Sequence, residues 1–189
     1  SSSSAVGQQT LRRLLETALD DDESTVRTRA VDVIGTAIEH GHYEPHALRE
    51  LLRSEISDSA PPRAALETAV EHAEWLGFGE EIYDLLVTAC SSGDPGVRER
   101  SLELIAGLLP AAESVSPDVA TMLEPVVKQR LTDGADDTRR SAAHAFARLH
   151  ESTGVSVSPT SLDVLRDVIS EYHYPPPVRV TLVSLLLDP

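Results

Sequence analysis

The chain has 189 residues, 31 of them acidic and 16 basic, for a formal net charge of -15. Such a surface repels a phosphate backbone, which excludes nucleic acid as a first expectation. No apolar run approaches the roughly 20 residues of a membrane helix, and Cys90 is the sole cysteine, which excludes an intrachain disulfide and fits a reducing, cytoplasmic compartment. With two Phe, one Trp and four Tyr, the interior has to be assembled from Leu, Val, Ile and Ala.

In chain order, residues 1–7 lack both an initiator Met and the basic-then-apolar design of a signal peptide and are expected to be a disordered lead-in. One repeat domain is expected over 8–189. Its first repeat, 8–41, offers two amphipathic segments, "QQTLRRLLETAL" and "DDESTVRTRAVDVIGTAI". The second, 45–77, offers "PHALRELLRSEI" and "DSAPPRAALETAVEHA". The third, 79–110, offers "EEIYDLLVTACSS" and "GDPGVRERSLELIAGLL". The fourth, 117–151, offers "DVATMLEPVVKQRL" and "DGADDTRRSAAHAFARL". The fifth, 159–188, offers "TSLDVLRDVIS" and "YPPPVRVTLVSLLL". We term the two segments of each pair helix A and helix B. Longer connections are expected at "AAESVSP" and "ESTGVSVSPT".

Every B segment carries an arginine, and aligning on Arg27, Arg63, Arg98, Arg139 and Arg179 gives steps of 36, 35, 41 and 40 residues. Three positions after it stand Ala30, Leu66, Ser101, Ala142 and Leu182; seven after it stand Ile34, Val70, Ile105, Phe146 and Leu186. Offsets of three and seven stay on one face of a helix, so these columns form an apolar stripe. Gly, Pro or Asp upstream of most copies supplies the turn and the helix start. Neither helix of a pair can bury its stripe alone, and stacking the pairs completes a core.

The pattern of Asp or Gly, a short gap, Val-Arg, a small residue three later and an aliphatic residue seven later resembles the HEAT repeat over nearly the whole chain. The third copy is the best match. The second departs most, with Pro62 for the usual valine and Glu67 in a column that is apolar elsewhere. Armadillo repeats are the near relative, but a third helix has no room in 35 to 41 residues. The resemblance implies an all-α, right-handed superhelical solenoid of five helical hairpins. It also implies that the five arginines act structurally, tying adjacent repeats through carboxylates such as Asp21, Asp58, Asp94 and Asp133 or through turn carbonyls. An acidic chain whose only lysine is Lys128 resembles proteins of salt-loving archaea, although a GC-rich genome also favours Arg over Lys.

Three histidines stand close together in "EHGHYEPH", residues 39 to 46. His40 falls in a last helical turn, Gly41 where a left-handed cap belongs and Pro45 in the next first turn, so the segment reads as stop, turn, start. The competing reading is a transition-metal site, but the spacing matches no metal motif, and no metal or other cofactor is expected. His150-Glu151 is the single His-Glu pair, so the multi-pair iron site of some HEAT-like hydroxylases does not transfer. Cys90 ends an apolar helix and reads as a small buried residue. No catalytic signature is present, and the chain is not expected to be an enzyme.

The expected function is a non-catalytic scaffold that binds a protein segment along the B-helix face. Five after the arginine this face presents Asp32, Thr68, Glu103, His144 and Ser184, flanked by Glu39, Glu71, Trp75, Glu99 and Arg140. It is acidic over three repeats and turns basic at Arg140, His144 and Arg148, which suits a partner segment carrying Lys or Arg, with Trp75 as an anchor. Alternatives are a HEAT-like enzyme or enzyme-maturation factor, or a structural segment of a larger assembly. The last B helix is apolar nearly all round, with Val180 and Leu187 in columns expected to face solvent, so further repeats or another chain are expected to cover it.

Overall fold

The computed structural model of the chain describes residues 45–57, 61, 63–109, 115–153, 159–171, 174 and 176–187, together with positions 13, 17, 21, 26, 29, 30, 33 and 36. All regular structure among the described residues is α-helical, as the 3.6-residue periodicity requires. Where the sequence predicts one continuous domain, contacts group the chain into two compact units, Ser1–Leu85 and Leu86–Pro189. The division falls within a helix rather than in a linker.

In the first unit, α1 (Pro45–Ile56) is the second repeat's helix A. It buries Leu48, Leu52 and Ile56, one residue per turn along a single face. The B segment is split into α2 (Arg63–Glu71) and α3 (Ala73–Leu76), with His72 at φ -110° and ψ 17° between them. α1 packs on both pieces. α3 ends where Gly77 adopts φ 70° and the Gly77 and Phe78 N–H groups donate to Glu74 O at 3.1 Å and Ala73 O at 2.9 Å. This Schellman closure needs a left-handed residue, hence glycine. Phe78 is thereby turned inward under Arg49, whose guanidinium lies 5.5 Å from the ring centroid. Arg49 also pairs with Glu81, which Arg53 approaches at 3.3 Å, so α1 is fastened to the start of α4 (Glu81–Ala89).

The second unit stacks hairpins. α5 (Pro95–Leu108) is capped by Asp94, whose carboxylate accepts from Gly96 N–H at 2.8 Å, with Pro95 in the first turn; proline loses nothing there because that N–H has no helical partner. α6 (Pro117–Arg130) repeats the device with Ser116 and Pro117, and it continues through Pro125, which removes one interior hydrogen bond. α7 (Asp136–Thr153), α8 (Pro159–Glu171) and α9 (Pro176–Leu187) complete the unit. α7 is its centre, packing on α5, α6, α8 and α9. Successive B helices α5, α7 and α9 therefore lie side by side, with A helices α6 and α8 behind them.

The column three after the arginine is buried in every repeat, at Ala30, Leu66, Ser101, Ala142 and Leu182. Phe146, Leu102, Ile105 and Leu123 are the largest fully enclosed side chains of the second unit's core, together with Leu109 and Leu86. Truncating Leu102 to Ala removes a side chain with no exposed surface, and is expected to lower unfolding free energy by about 2–5 kcal/mol. Leu187→Ala, at a site 73% exposed, is expected to stay within about 0.5 kcal/mol. Urea titration followed by circular dichroism checks both.

Candidate functional site

The B-helix face and the joints beneath it are built from the same helices. At the joint between the third and fourth repeats, Arg98 stands in the first turn of α5 and reaches the short connection between α6 and α7. Its Nε donates to Asp133 Oδ2 at 2.9 Å and its Nη2 to Oδ1 at 2.8 Å. Its Nη1 donates to the carbonyls of Ser92 at 2.9 Å and Gly93 at 3.1 Å. Only arginine's planar fork can close a bidentate carboxylate pair and hold turn carbonyls at once. Asp133 also accepts from Arg130 Nη1 at 3.2 Å and Ala135 N–H at 3.0 Å. Its side chain is 3% exposed against 14% for Arg98. Burial alone raises the Asp133 pKa, but the hydrogen bonds from Arg98, Ala135 N–H and Arg130, with the charge of Arg98, outweigh it and hold the carboxyl at about 2.

The next arginine grips the same turn: Arg139 Nη1 donates to Asp133 O at 2.8 Å, and Nη2 to the Asp136 carboxylate at 2.6 Å. Thr138 Oγ1 donates to Pro95 O at 3.2 Å. At the other end of the joint, Arg148 Nη2 donates to Leu109 O at 2.5 Å and its Nε to Ala106 O at 3.4 Å, satisfying carbonyls at the end of α5 that have no helical partner. Arg63 and Arg179 are exposed, and Arg27 lies outside the described residues. Of the five aligned arginines, then, Arg98 and Arg139 meet at one turn.

On the open face, Glu99 and His144 are half-buried and Glu103 and Arg140 exposed. Glu103 accepts from Arg100 at 2.7 Å and Asp137 from Arg140 at 2.7 Å. Burial, and then the charge of Arg148, lower the His144 pKa, while Glu103 and Glu151 oppose the shift. Glu103 and His144, each five after its arginine, stand on two helices, α5 and α7, that pack against one another. Glu71 is exposed at the end of α2, and Trp75 belongs to α3. Asp32 and Glu39 lie outside the described residues. Ser184 is exposed on α9.

Three expectations need correction. Thr68 is buried rather than on the open face, because α2 is covered over a wide sector that also takes in Ala65, Leu66 and Ala69. Arg148 is not a free basic residue of the face; its guanidinium is spent on the end of α5 and on Glu151. The Leu187 column does not face solvent in neighbouring repeats: Ala106 and Ala147, eight after their arginines, are both buried. Periodicity within one helix could not reveal these, because all three depend on what the adjacent helix covers.

Of the "EHGHYEPH" segment, His46 is exposed with Nδ1 3.8 Å from the Glu50 carboxylate, and α1 starts at Pro45; His40, Gly41 and His42 lie outside the described residues. No group of three or more His, Cys, Asp or Glu side chains among the described residues is placed to hold a metal ion, and no described helix is long and apolar enough to cross a membrane. Cys90 follows α4 and is fully buried. Burial pushes its thiol up to about 12, with Arg130 pulling weakly the other way.

Two outcomes follow from these environments. The folded Asp133 carboxyl is a stronger acid than in the unfolded chain, so the stability it confers is complete above about pH 4 and is lost as pH falls through about 2. Asp133→Ala, which strands the buried Arg98 charge, is expected to cost about 3–5 kcal/mol at pH 7; Asp133→Asn should flatten the fall in melting temperature between about pH 4 and 2. Cys90, with almost no thiolate at neutral pH, is expected to resist Ellman's reagent in the folded chain and to react at once in denaturant.

No protein-family model matches the chain, and no curated protein sequence matches it. Among solved structures, it is similar to a computationally designed armadillo repeat protein for modular peptide recognition, at 16% identity and a TM-score of 0.49, over 97% of this chain and 87% of that one.

Proposed function

We propose that the chain is a non-catalytic scaffold of HEAT-like repeats, working in the cytoplasm, that binds an extended protein segment along its B helices. The observation that carries this reading is the packing of α5 on α7, which sets the open faces of two successive B helices side by side, with Glu103 exposed on one and His144 half-buried on the other. It makes one strip of the separate positions on α5 and α7, and a strip crossing repeats is what an extended ligand can follow. The groups on it are free to change partners. Glu103–Arg100 and Arg140–Asp137 are exposed pairs within one helix turn, and such pairs contribute only about 0.2–1 kcal/mol. An incoming Lys or Arg can therefore take Glu103 from Arg100 at small cost, while a partner carboxylate can take Arg140.

A structural role in a larger assembly is the second reading, favoured by the apolar exposure of α9, where Val180 is 65% and Leu187 73% exposed. The two differ in where a partner touches. A photocrosslinking residue placed at 103 or at 144 is expected to capture the same partner, and one placed at 163 on α8 to capture none; capture from 163 with equal yield contradicts the B-face reading. For a basic partner segment, Glu103→Lys is expected to weaken binding about tenfold or more, and unchanged affinity removes the basic segment from the account.

A further inference from the structure

Gly107 stands in the last turn of α5, where every residue but proline holds a helix better than glycine does. A glycine near a helix end ordinarily serves as a left-handed cap. Positive φ among the described glycines is confined to Gly77 and Gly79, and the cap of α5 is Leu109 at φ -71° and ψ 118°, so capping does not call for Gly107. Close packing is the other ordinary reason for a helical glycine, yet a Cβ at 107 would meet nothing within 4 Å. Even Arg148, which donates to the carbonyls of Ala106 and Leu109 on either side, leaves that space clear. The position is exposed, and one and two turns before it stand the exposed Glu103 and the half-buried Glu99. Steps of four keep all three on one stripe, the outward stripe of this B helix.

We propose that Gly107 is where the backbone of an extended partner segment crosses the B face, with a Lys or Arg of that segment on Glu103. The inference rests on the B-face reading and adds to it the point of closest contact and the partner's conformation. Without a Cβ the helix surface is lowered by one side chain at 107, and another backbone can come against it. Glu103 lies one turn, about 6 Å, back along the axis, within reach of a long cationic side chain whose backbone is seated at Gly107. Charge selects that side chain: Glu103 is held by Arg100 in an exposed pair within the same helix, which a partner cation exchanges at little cost. Glu99 adds a second carboxylate to the stripe. A helical occupant keeps its backbone sheathed in side chains and its amides paired internally, so one missing Cβ beside a carboxylate does little for it. An extended chain presents bare backbone between alternate side chains, which is what a lowered spot on a polar stripe accepts.

The test uses the full chain and, as probe, a fluorescein-labelled peptide of repeated Lys-Thr-Pro, whose prolines forbid a helix and whose three-residue period sets every lysine on one side. Saturable binding by anisotropy is expected. Gly107→Leu, which alters no charge, is expected to weaken it about tenfold or more, whereas Thr121→Leu, comparable bulk at an exposed site of α6, is expected to leave it unchanged. Gly107→Ala is expected to hold or raise the melting temperature followed by circular dichroism while weakening the probe. A lowered melting temperature would assign the glycine to the fold and overturn the proposal. Full affinity in Gly107→Leu, or an equal loss in Thr121→Leu, overturns it too, and does so alone when Glu103→Lys still weakens the probe. If Glu103→Lys has no effect either, or no binding is seen at roughly millimolar probe, the B-face reading falls with it.

Discussion

The carboxylate of Asp133 is where the second unit is held together. Two arginines from successive B helices converge on its turn, one on the side chain and one on the backbone carbonyl. A third, Arg130, approaches from the A helix between them. Such a cluster is costly to bury and stabilises only when every donor is matched, and here the fork of Arg98 is filled by two carboxylate oxygens and two carbonyls. What it fixes is register. α7 can lie on α5 in one axial position, the one in which Thr138 meets Pro95 and Arg148 meets the last carbonyls of α5. The apolar columns then do the rest, since Leu102, Ile105 and Phe146 are enclosed only when the hairpins are stacked in that register.

The proposed binding face follows from the same constraint. Because the joint uses the start and end of α5, the middle of that helix is left to present Glu103 outward, beside the α7 that carries His144. The surface that could bind a partner is therefore a by-product of how the repeats are locked, and its spacing is set by the helix-to-helix distance.

Much of this was legible in the sequence because it is written in local chemistry. The starts of α1, α5 and α9 are marked by proline, the burial of Ser101 and Ala142 by a column three after an arginine. The partners of Arg98 needed a long-range contact across 35 residues, and the sequence offered only candidates, the aspartates Asp21, Asp58, Asp94 and Asp133 in the turns of four repeats. The break at His72 left no trace in a segment whose apolar residues Leu66, Ala69, Ala73 and Leu76 keep helical spacing across it. Arg148 looked like part of a basic face because its offset is right for one; its length lets it fold back onto the neighbouring helix end instead. Thr68 was misplaced because polarity alone is a poor guide to exposure, and the sector of α2 that holds it is covered together with Ala65, Leu66 and Ala69.

The central claim is that Arg98 and Asp133 act as one unit that couples neighbouring repeats. A double-mutant cycle of Arg98→Ala and Asp133→Ala, measured by urea unfolding at pH 7, tests it most directly. The account predicts strong non-additivity, with a coupling of about 2–3 kcal/mol between the two sites. Effects that add to within about 0.5 kcal/mol would mean that the pair is an ornament on a stack held by apolar contact alone.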